Sequence, residues 1–222
     1  MDLTSPARTV IPSLDADVLM ALVAITMPLT GRQISRLVES GSQRGVSTVL
    51  ARLSKQGLVD VVEAGNANLY SLNREHIAAP AIEALKDLRG KLFNRMGMAI
   101  KGWKILPESV AIFGSAARGD GDVKSDIDIL IVRPEEFYFK DITEADQNEE
   151  ETLEGSLYVW SSQLLEFSRQ VFRWSGNQAS LIQATQSQLR AMVEREEPIA
   201  ESLRNEARYI WGPNVMKTIG QK

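Results

Sequence analysis

Apolar positions in the first third of the chain recur at helical spacing and then switch to an extended pattern. Three helices are predicted there, at residues 14–25, 30–38 and 43–56. Thr30 and Gln33 form a capping-box pattern at the start of the second helix, and Gly57 ends the third. Two β-prone segments, residues 58–63 and 69–72, follow with a turn-rich run between them. This third is therefore predicted to form three helices and a hairpin.

The rest of the chain alternates helices with short apolar strands. One helical stripe runs from Pro80 to about Lys104 and predicts a single connecting helix, weakened near its end by Gly97 and Gly102. Further helices are expected at residues 157–174, 186–194 and 198–207, and strands at residues 111–113, 126–132, 178–185 and 209–211. The acidic run 135–154 predicts a solvated helix face or a mobile loop. The pattern indicates an α+β protein with a small mixed sheet.

Two aspartates, Asp126 and Asp128, stand at a spacing of two in an apolar strand. Alternate residues of a strand project from the same face, so both carboxylates are expected side by side. Two adjacent carboxylates stay ionised at low cost only if a cation lies between them. Oxygen ligands of this kind suit Mg²⁺ (or Mn²⁺), which commonly takes one or two protein carboxylates together with substrate phosphates.

A Gly-Ser pair precedes these aspartates at the end of the previous strand. Gly114 lets the backbone approach a ligand closely, and Ser115 can donate its hydroxyl and N–H to a phosphate oxygen. Together with the aspartates, the pair indicates phosphoryl or nucleotidyl transfer. Arg118 could contact a triphosphate or form a surface ion pair, and Ser125 could orient Asp126 or cap the turn before it.

The order of these motifs resembles the DNA polymerase beta-type nucleotidyltransferases, and more closely their minimal branch. The resemblance covers about residues 107–212 and implies that Gly114 and Ser115 contact nucleotide phosphates while Asp126 and Asp128 bind metal. These enzymes usually place a third acid on the next strand. Here Ser180 or Gln178 occupies the expected position, and the chain has no acid between residues 166 and 194.

A missing third acid bears on catalysis, because that carboxylate helps hold the metal that activates the acceptor hydroxyl. A loop acid could replace it, as could a phosphate of the acceptor itself; the loop candidates are Asp120, Asp122 and Glu154. Alternatively, the domain binds nucleotide and transfers it poorly.

The three helices and hairpin of residues 10–78 resemble a winged helix-turn-helix of the MarR/ArsR kind. The resemblance implies that helix 43–56 lies in the major groove of duplex DNA. Its exposed face is expected to carry Arg44, Ser47, Thr48, Arg52 and Lys55. No acidic residue occurs from residue 40 to residue 59, which favours DNA contact. A winged helix used only for protein contacts is the competing interpretation.

Composition adds a few limits. The chain has no cysteine, which excludes disulfides and thiolate metal ligands. It lacks a long apolar run and a signal-like start, so we expect a cytoplasmic protein with no membrane partner. The net charge of −4 argues against nucleic-acid contact over the whole surface, but residues 1–78 carry seven basic and seven acidic side chains, and are balanced. The single histidine, His76, is expected at a domain boundary rather than in a catalytic site.

Two functions are compatible with this sequence. The first is a Mg²⁺-dependent enzyme that transfers AMP from ATP to a hydroxyl or phosphate acceptor. The second is a DNA-binding regulator whose C-terminal domain senses nucleotide or has lost catalysis. The expected organisation is a winged helix-turn-helix at 10–78, a connecting helix at 79–106 and a nucleotidyltransferase-like domain at 107–213. The connecting helix could pack on the C-terminal sheet or form a homodimer.

Overall fold

The computed structural model describes residues 1–38, 41–135 and 147–219, with the backbone alone for residues 147–154. The chain divides into two compact units, Thr4–Gly90 with Asp2, and Lys91 onward with Met1 and Leu3. The acids of residues 136–146, and the side chains of residues 147–154, Glu154 among them, lie outside the described residues. No helix in the described ranges is long and apolar enough to cross a membrane.

The first unit, over its described residues, combines helices with a small antiparallel sheet. Its elements are a 3₁₀ turn Pro6–Thr9, α1 Leu14–Ala24, β1 Leu29–Thr30, α2 Gly31–Leu37, α3 Gln43–Lys55, β2 Val59–Ala64, β3 Ala67–Leu72 and α4 Ala79–Lys86. The sheet has the order β1-β3-β2. The capping box of Thr30 and Gln33 is confirmed at the start of α2. The pattern missed β1, because a two-residue strand has no periodicity of its own.

Helix α3 buries the apolar face that its spacing predicted. Val46, Val49, Leu50 and Leu53 lie in the core of the unit with α1, α2 and the sheet. Ser42 caps the helix, its hydroxyl accepting a hydrogen bond from the N–H of Gly45 at 3.1 Å. The opposite face of α3 is therefore held outward.

The predicted connecting helix is wrong in its length. Two helices occupy this region, α4 and α5 Leu88–Ile100, and the chain leaves helical geometry at Asp87. A Cβ built on Gly90 would overlap Asp87 Oδ1, so the Asp87 carboxylate lies over the first turn of α5. A carboxylate at the first turn of a helix interacts favourably with the positive end of the helix dipole.

The second unit is a mixed four-stranded sheet between two helical layers. Its remaining elements are β4 Ser109–Phe113, α6 Gly114–Arg118, β5 Ile127–Val132, α7 Gln147–Ser175, β6 Ala179–Ala184, α8 Gln186–Glu194, α9 Pro198–Glu206, β7 Arg208–Trp211 and α10 Val215–Ile219. The sheet order is β6-β5-β4-β7, with β5 and β6 parallel and the other pairs antiparallel. The short helices α6 and α10 were not predicted, since each is too short to show a stripe.

Alternation along β5 separates the two cores of this unit. Ile127, Ile129 and Ile131 are fully buried with residues of α5 and α7. Leu130 and Val132 lie on the other face and pack with residues of α8, α9 and α10. Because alternate residues of a strand share a face, Asp128 lies on the same face as Leu130 and Val132, at the end of the sheet where α6 begins.

Candidate active site

The carboxylate of Asp128 lies directly against the backbone of the Gly-Ser turn. The antiparallel pairing of β4 and β5 places Asp128 opposite Phe113, the residue before Gly114. Gly114 has a φ of 65°, and a Cβ added there would lie 2.6 Å from Asp128 Oδ2. Glycine is required here both for the left-handed backbone and for the space that the carboxylate occupies.

Asp126 lies just before β5 rather than within it. The strand begins at Ile127, whose N–H donates to the carbonyl of Gln178 at 2.8 Å. The expectation of two carboxylates on one regular strand is therefore corrected, because a side-chain-stabilised turn continues up to Ser125. Asp126 is exposed and Asp128 is half-buried.

The turn before Asp126 is stabilised by Asp122. Its Oδ1 accepts hydrogen bonds from the N–H groups of Lys124 at 2.8 Å and Ser125 at 2.9 Å, and from the Ser125 hydroxyl at 3.0 Å. The backbone bond from Lys124, followed by the Ser125 hydroxyl, holds the pKa of Asp122 below its usual range. Of the two roles considered for Ser125, the structure has it capping this turn.

The electrostatics of Asp128 favour a bound cation. Burial raises the pKa of its carboxyl, and the charge of Asp126 adds to this, whereas hydrogen bonding with Ser180 and the charge of Arg118 act in the opposite direction. Neither aspartate forms an ion pair with a basic side chain of the described residues. Two carboxylates in this arrangement, beside the Gly-Ser turn, are the kind of oxygen donors that Mg²⁺ or Mn²⁺ takes.

Ser180 is the neighbour of Asp128 on the adjoining strand. The parallel register pairs Asp128 with Ser180 and Leu130 with Ile182. Ser180 therefore occupies the position expected for a third acid, and Gln178 lies before the strand. In the parts of the chain whose side chains are described, no cluster of three or more His, Cys, Asp or Glu is arranged to hold a metal.

Arg118, on α6, is held in two ion pairs. Its Nε donates to Asp120 at 2.9 Å and its Nη1 to Glu206, on α9, at 2.7 Å. The hydrogen bond to Asp120, followed by the one to Glu206, raises the pKa of Arg118, and the same guanidinium lowers the pKa of Asp120. Of the two roles expected for Arg118, the structure therefore contains the ion pair. The Asp120 carboxylate is engaged by this guanidinium.

Ser115 lies at the start of α6 and against the loop that follows. Its carbonyl accepts hydrogen bonds from the N–H groups of Gly119 at 2.8 Å and Asp120 at 3.1 Å. A Cβ on Gly121 would lie 3.0 Å from Ser115 Oγ and 3.4 Å from Ser125 Cβ. The loop 119–125 therefore packs closely on the Gly-Ser turn.

Two residues near this site were not identified from the sequence. Glu206 neutralises Arg118 from a distant helix, and Asn177 contacts the turn at 122–125 through its side chain. The motif spacing gives no signal for Glu206. The only signal for Asn177 is an asparagine in a Ser-Gly-Asn turn directly before a strand.

The residues predicted to contact DNA lie together on the exposed face of α3. Arg44, Ser47, Thr48, Ala51, Arg52 and Lys55 line a shallow groove of about 470 Å³. Arg52 also forms an ion pair with Asp15, at the start of α1. His76 does not belong to this face. Its Nδ1 accepts a hydrogen bond from the N–H of Ala78, two residues along the chain, at 3.1 Å.

Comparison with known families bears on the second unit. Residues 100–187 match the family model described as "Nucleotidyltransferase domain". Neither the curated proteins nor the solved structures gave a significant match to the chain. The matched span includes both aspartates, the Gly-Ser turn and Ser180. The match therefore supports a nucleotidyltransferase domain in the chain and nucleotidyl transfer as its enzymatic activity.

Proposed function

We propose that residues 107–213 catalyse the transfer of AMP from ATP to a hydroxyl or phosphate acceptor, with pyrophosphate as the leaving group, in a reaction that depends on Mg²⁺ or Mn²⁺. The observation that carries this proposal is the position of Asp128, half-buried, beside Asp126 and against the Gly114 backbone. Without a cation, this arrangement is electrostatically unfavourable; with a cation and a triphosphate, it is the start of a phosphoryl-transfer site.

Each residue of the site has a distinct task in this proposal. Asp126 and Asp128 hold the cation, and Gly114 with Ser115 binds the β- and γ-phosphates through backbone N–H groups and the serine hydroxyl. A bound cation would neutralise charge on the transferred phosphate and lower the pKa of the acceptor. Arg118 contributes positive potential near Asp128 while it stays paired with Asp120 and Glu206.

Ser180 is expected to make this reaction slow. A neutral hydroxyl stands beside Asp128 where related enzymes have a carboxylate, so the acceptor receives less help in losing its proton. Of the three acids expected from loops, Glu154 belongs to α7 and its side chain lies outside the described residues, whereas Asp120 and Asp122 are engaged by other groups.

DNA binding is the proposed role of residues 10–78, which act as a winged helix-turn-helix. The face of α3 presents three basic side chains and two hydroxyls in one groove, which is the chemistry that contacts phosphates and base edges. The pairing of Ser180 with Asp128 favours, as a second candidate, a DNA-binding regulator whose C-terminal domain binds nucleotide and transfers it slowly or not at all.

One experiment separates these functions. The full chain is incubated with each of four α-labelled nucleoside triphosphates, Mg²⁺ and a cell lysate, and label attached covalently to any acceptor is followed. Metal-dependent attachment from ATP supports the enzyme. Calorimetry of the same chain measures nucleotide binding alongside: tight Mg²⁺-ATP binding without attachment supports the regulator, and the absence of metal-dependent nucleotide binding contradicts both.

A further inference from the structure

Asn177 is a buried polar residue at the junction of α7 and β6. The residue is 2% exposed, and it directly precedes Gln178, whose carbonyl accepts the first strand hydrogen bond of Ile127. Asn177 therefore lies beside the end of β5 at which Asp126 stands. Asn177 has no task in the proposed reaction as described above.

The Asn177 amide joins two backbone carbonyls of the turn before Asp126. Its Nδ2 donates to the carbonyl of Ser125 at 3.0 Å and to that of Asp122 at 3.3 Å. Its Oδ1 accepts a hydrogen bond from the amino group of Met1 at 2.8 Å, and the Asn177 N–H donates to Ser175 Oγ at 3.0 Å. Carbonyl oxygens only accept, so these partners fix the orientation of the amide.

The two carbonyls lie at the start and the end of the turn 122–125. Ser125 is the residue before Asp126, and Ile127 is the residue after it. The Asp126 backbone is therefore fixed on one side by Asn177 and on the other by the strand bond between Ile127 and Gln178. Asp126 itself lies outside the regular strand and depends on these two attachments for its position.

We propose that Asn177 is a positioning residue for the cation site: it fixes the turn that places Asp126 beside Asp128. This inference rests on the proposed function, because it assigns Asn177 to the cation held by those carboxylates. Side chains that orient a metal ligand from outside the ligand set typically change metal affinity about 10- to 100-fold when they are replaced.

The informative variant is Asn177→Asp. It keeps the shape of the side chain but replaces the donating Nδ2 by an oxygen that faces two carbonyls, so the turn is pushed away. The matched control is Gln163→Glu in the same unit. Gln163 likewise holds a loop by its amide, accepting from the N–H of Lys104 at 2.7 Å and donating to the carbonyl of Ile105 at 3.1 Å.

Mg²⁺-dependent ATP binding by the full chain is measured calorimetrically for the natural protein and for Asn177→Asp, Asn177→Ala and Gln163→Glu. Melting temperatures and amide exchange at residues 122–127 are measured for the same four proteins. Asn177→Asp is expected to weaken Mg²⁺-dependent binding about 10- to 100-fold and to speed exchange in the turn. Gln163→Glu is expected to change the melting temperature without changing that binding. Asn177→Ala, which removes both donors and adds no charge, should weaken binding in the same way.

The outcomes distinguish this inference from the proposed function. If the natural protein binds Mg²⁺-ATP and a folded Asn177 variant binds it equally well, the positioning role is overturned and the proposed function stands. If both Asn177 variants lose their melting transition, Asn177 holds the fold and not the turn, which also overturns the inference. If the natural protein fails to bind Mg²⁺-ATP, the proposed function fails, and the inference fails with it.

Discussion

Ser180 stands in register with Asp128 across the parallel strands β5 and β6, on the same face of the sheet. A neutral hydroxyl is thus the strand neighbour of the half-buried carboxylate in the candidate site. The pairing bears on the expected rate of nucleotidyl transfer, because a carboxylate in place of the Ser180 hydroxyl would be a third anionic ligand for the metal.

Replacing Ser180 by aspartate is expected to increase transfer. The new carboxylate would lie beside Asp128 and strengthen the binding of a metal that lowers the acceptor's pKa, so we expect Ser180→Asp to raise the single-turnover rate about tenfold or more. Ser180→Asn introduces a side chain of the same size as aspartate without the charge and serves as the control. Equal rates in the two variants would show that charge at this position does not limit transfer.

Removing both carboxylates of the site should abolish metal-dependent nucleotide binding. The double variant Asp126→Asn/Asp128→Asn keeps the size of both side chains but removes their charge, and we expect at least about a hundredfold loss of Mg²⁺-ATP affinity in calorimetry. Asp60→Asn, at an exposed position of β2, is the control for the loss of an acidic charge. Unchanged affinity in a folded double variant would contradict the site.

Gly114→Ala should disturb the site beyond the ordinary cost of its backbone conformation. A left-handed non-glycine residue costs about 1–2 kcal/mol, and here the added Cβ would also lie 2.6 Å from Asp128 Oδ2. Gly65→Ala is a matched control, because Gly65 has a φ of 60° but a Cβ added there would meet no heavy atom within 4 Å. We expect both variants to lose thermal stability, and Gly114→Ala alone to lose Mg²⁺-ATP binding.

Affinity for duplex DNA should depend on the exposed face of α3. Replacing Arg44 and Arg52 by alanine is expected to weaken binding and to reduce the salt slope by about 1 for each phosphate that is no longer neutralised, as measured by fluorescence anisotropy at several salt concentrations. Arg74→Ala is the control, since Arg74 lies outside α3 in the same unit and, like Arg52, forms an ion pair. If the natural protein binds no duplex DNA even at low salt, DNA binding is contradicted and the first unit is interpreted as a protein-interaction module.

The turn at 122–125 should lose stability in acid. The folded-state pKa of Asp122 lies below its ordinary value, so its contribution to stability is present above the unfolded pKa and is lost as pH falls through the folded one. The melting temperature of the natural protein should therefore exceed that of Asp122→Ala at neutral pH, with the difference shrinking in acid. A difference that does not change with pH would mean that the carboxylate charge is unimportant to the turn.

Local patterns in the sequence predicted most of the elements. The capping box at Thr30, the buried stripe of α3 and the alternation of β5 depend on neighbours within one or two turns, or within one strand. Such patterns miss features set by single contacts. At the break the Asp87 carboxylate lies over Gly90, and α6 begins at a left-handed glycine with Asp128 beside it.

By itself, the sequence determined the motif set: a Gly-Ser turn after one strand, two aspartates at the next, and no acid on the third. Only the tertiary structure decided how these residues are used. The parallel register of β5 and β6 places Ser180 beside Asp128. Glu206, on a helix distant in sequence, forms an ion pair with Arg118, and the Asn177 side chain donates a hydrogen bond to the turn before Asp126. The physical reason is that these interactions join residues about 50 to 90 positions apart, where neither spacing nor propensity carries information, and their geometry exists only once the sheet and its helices have packed.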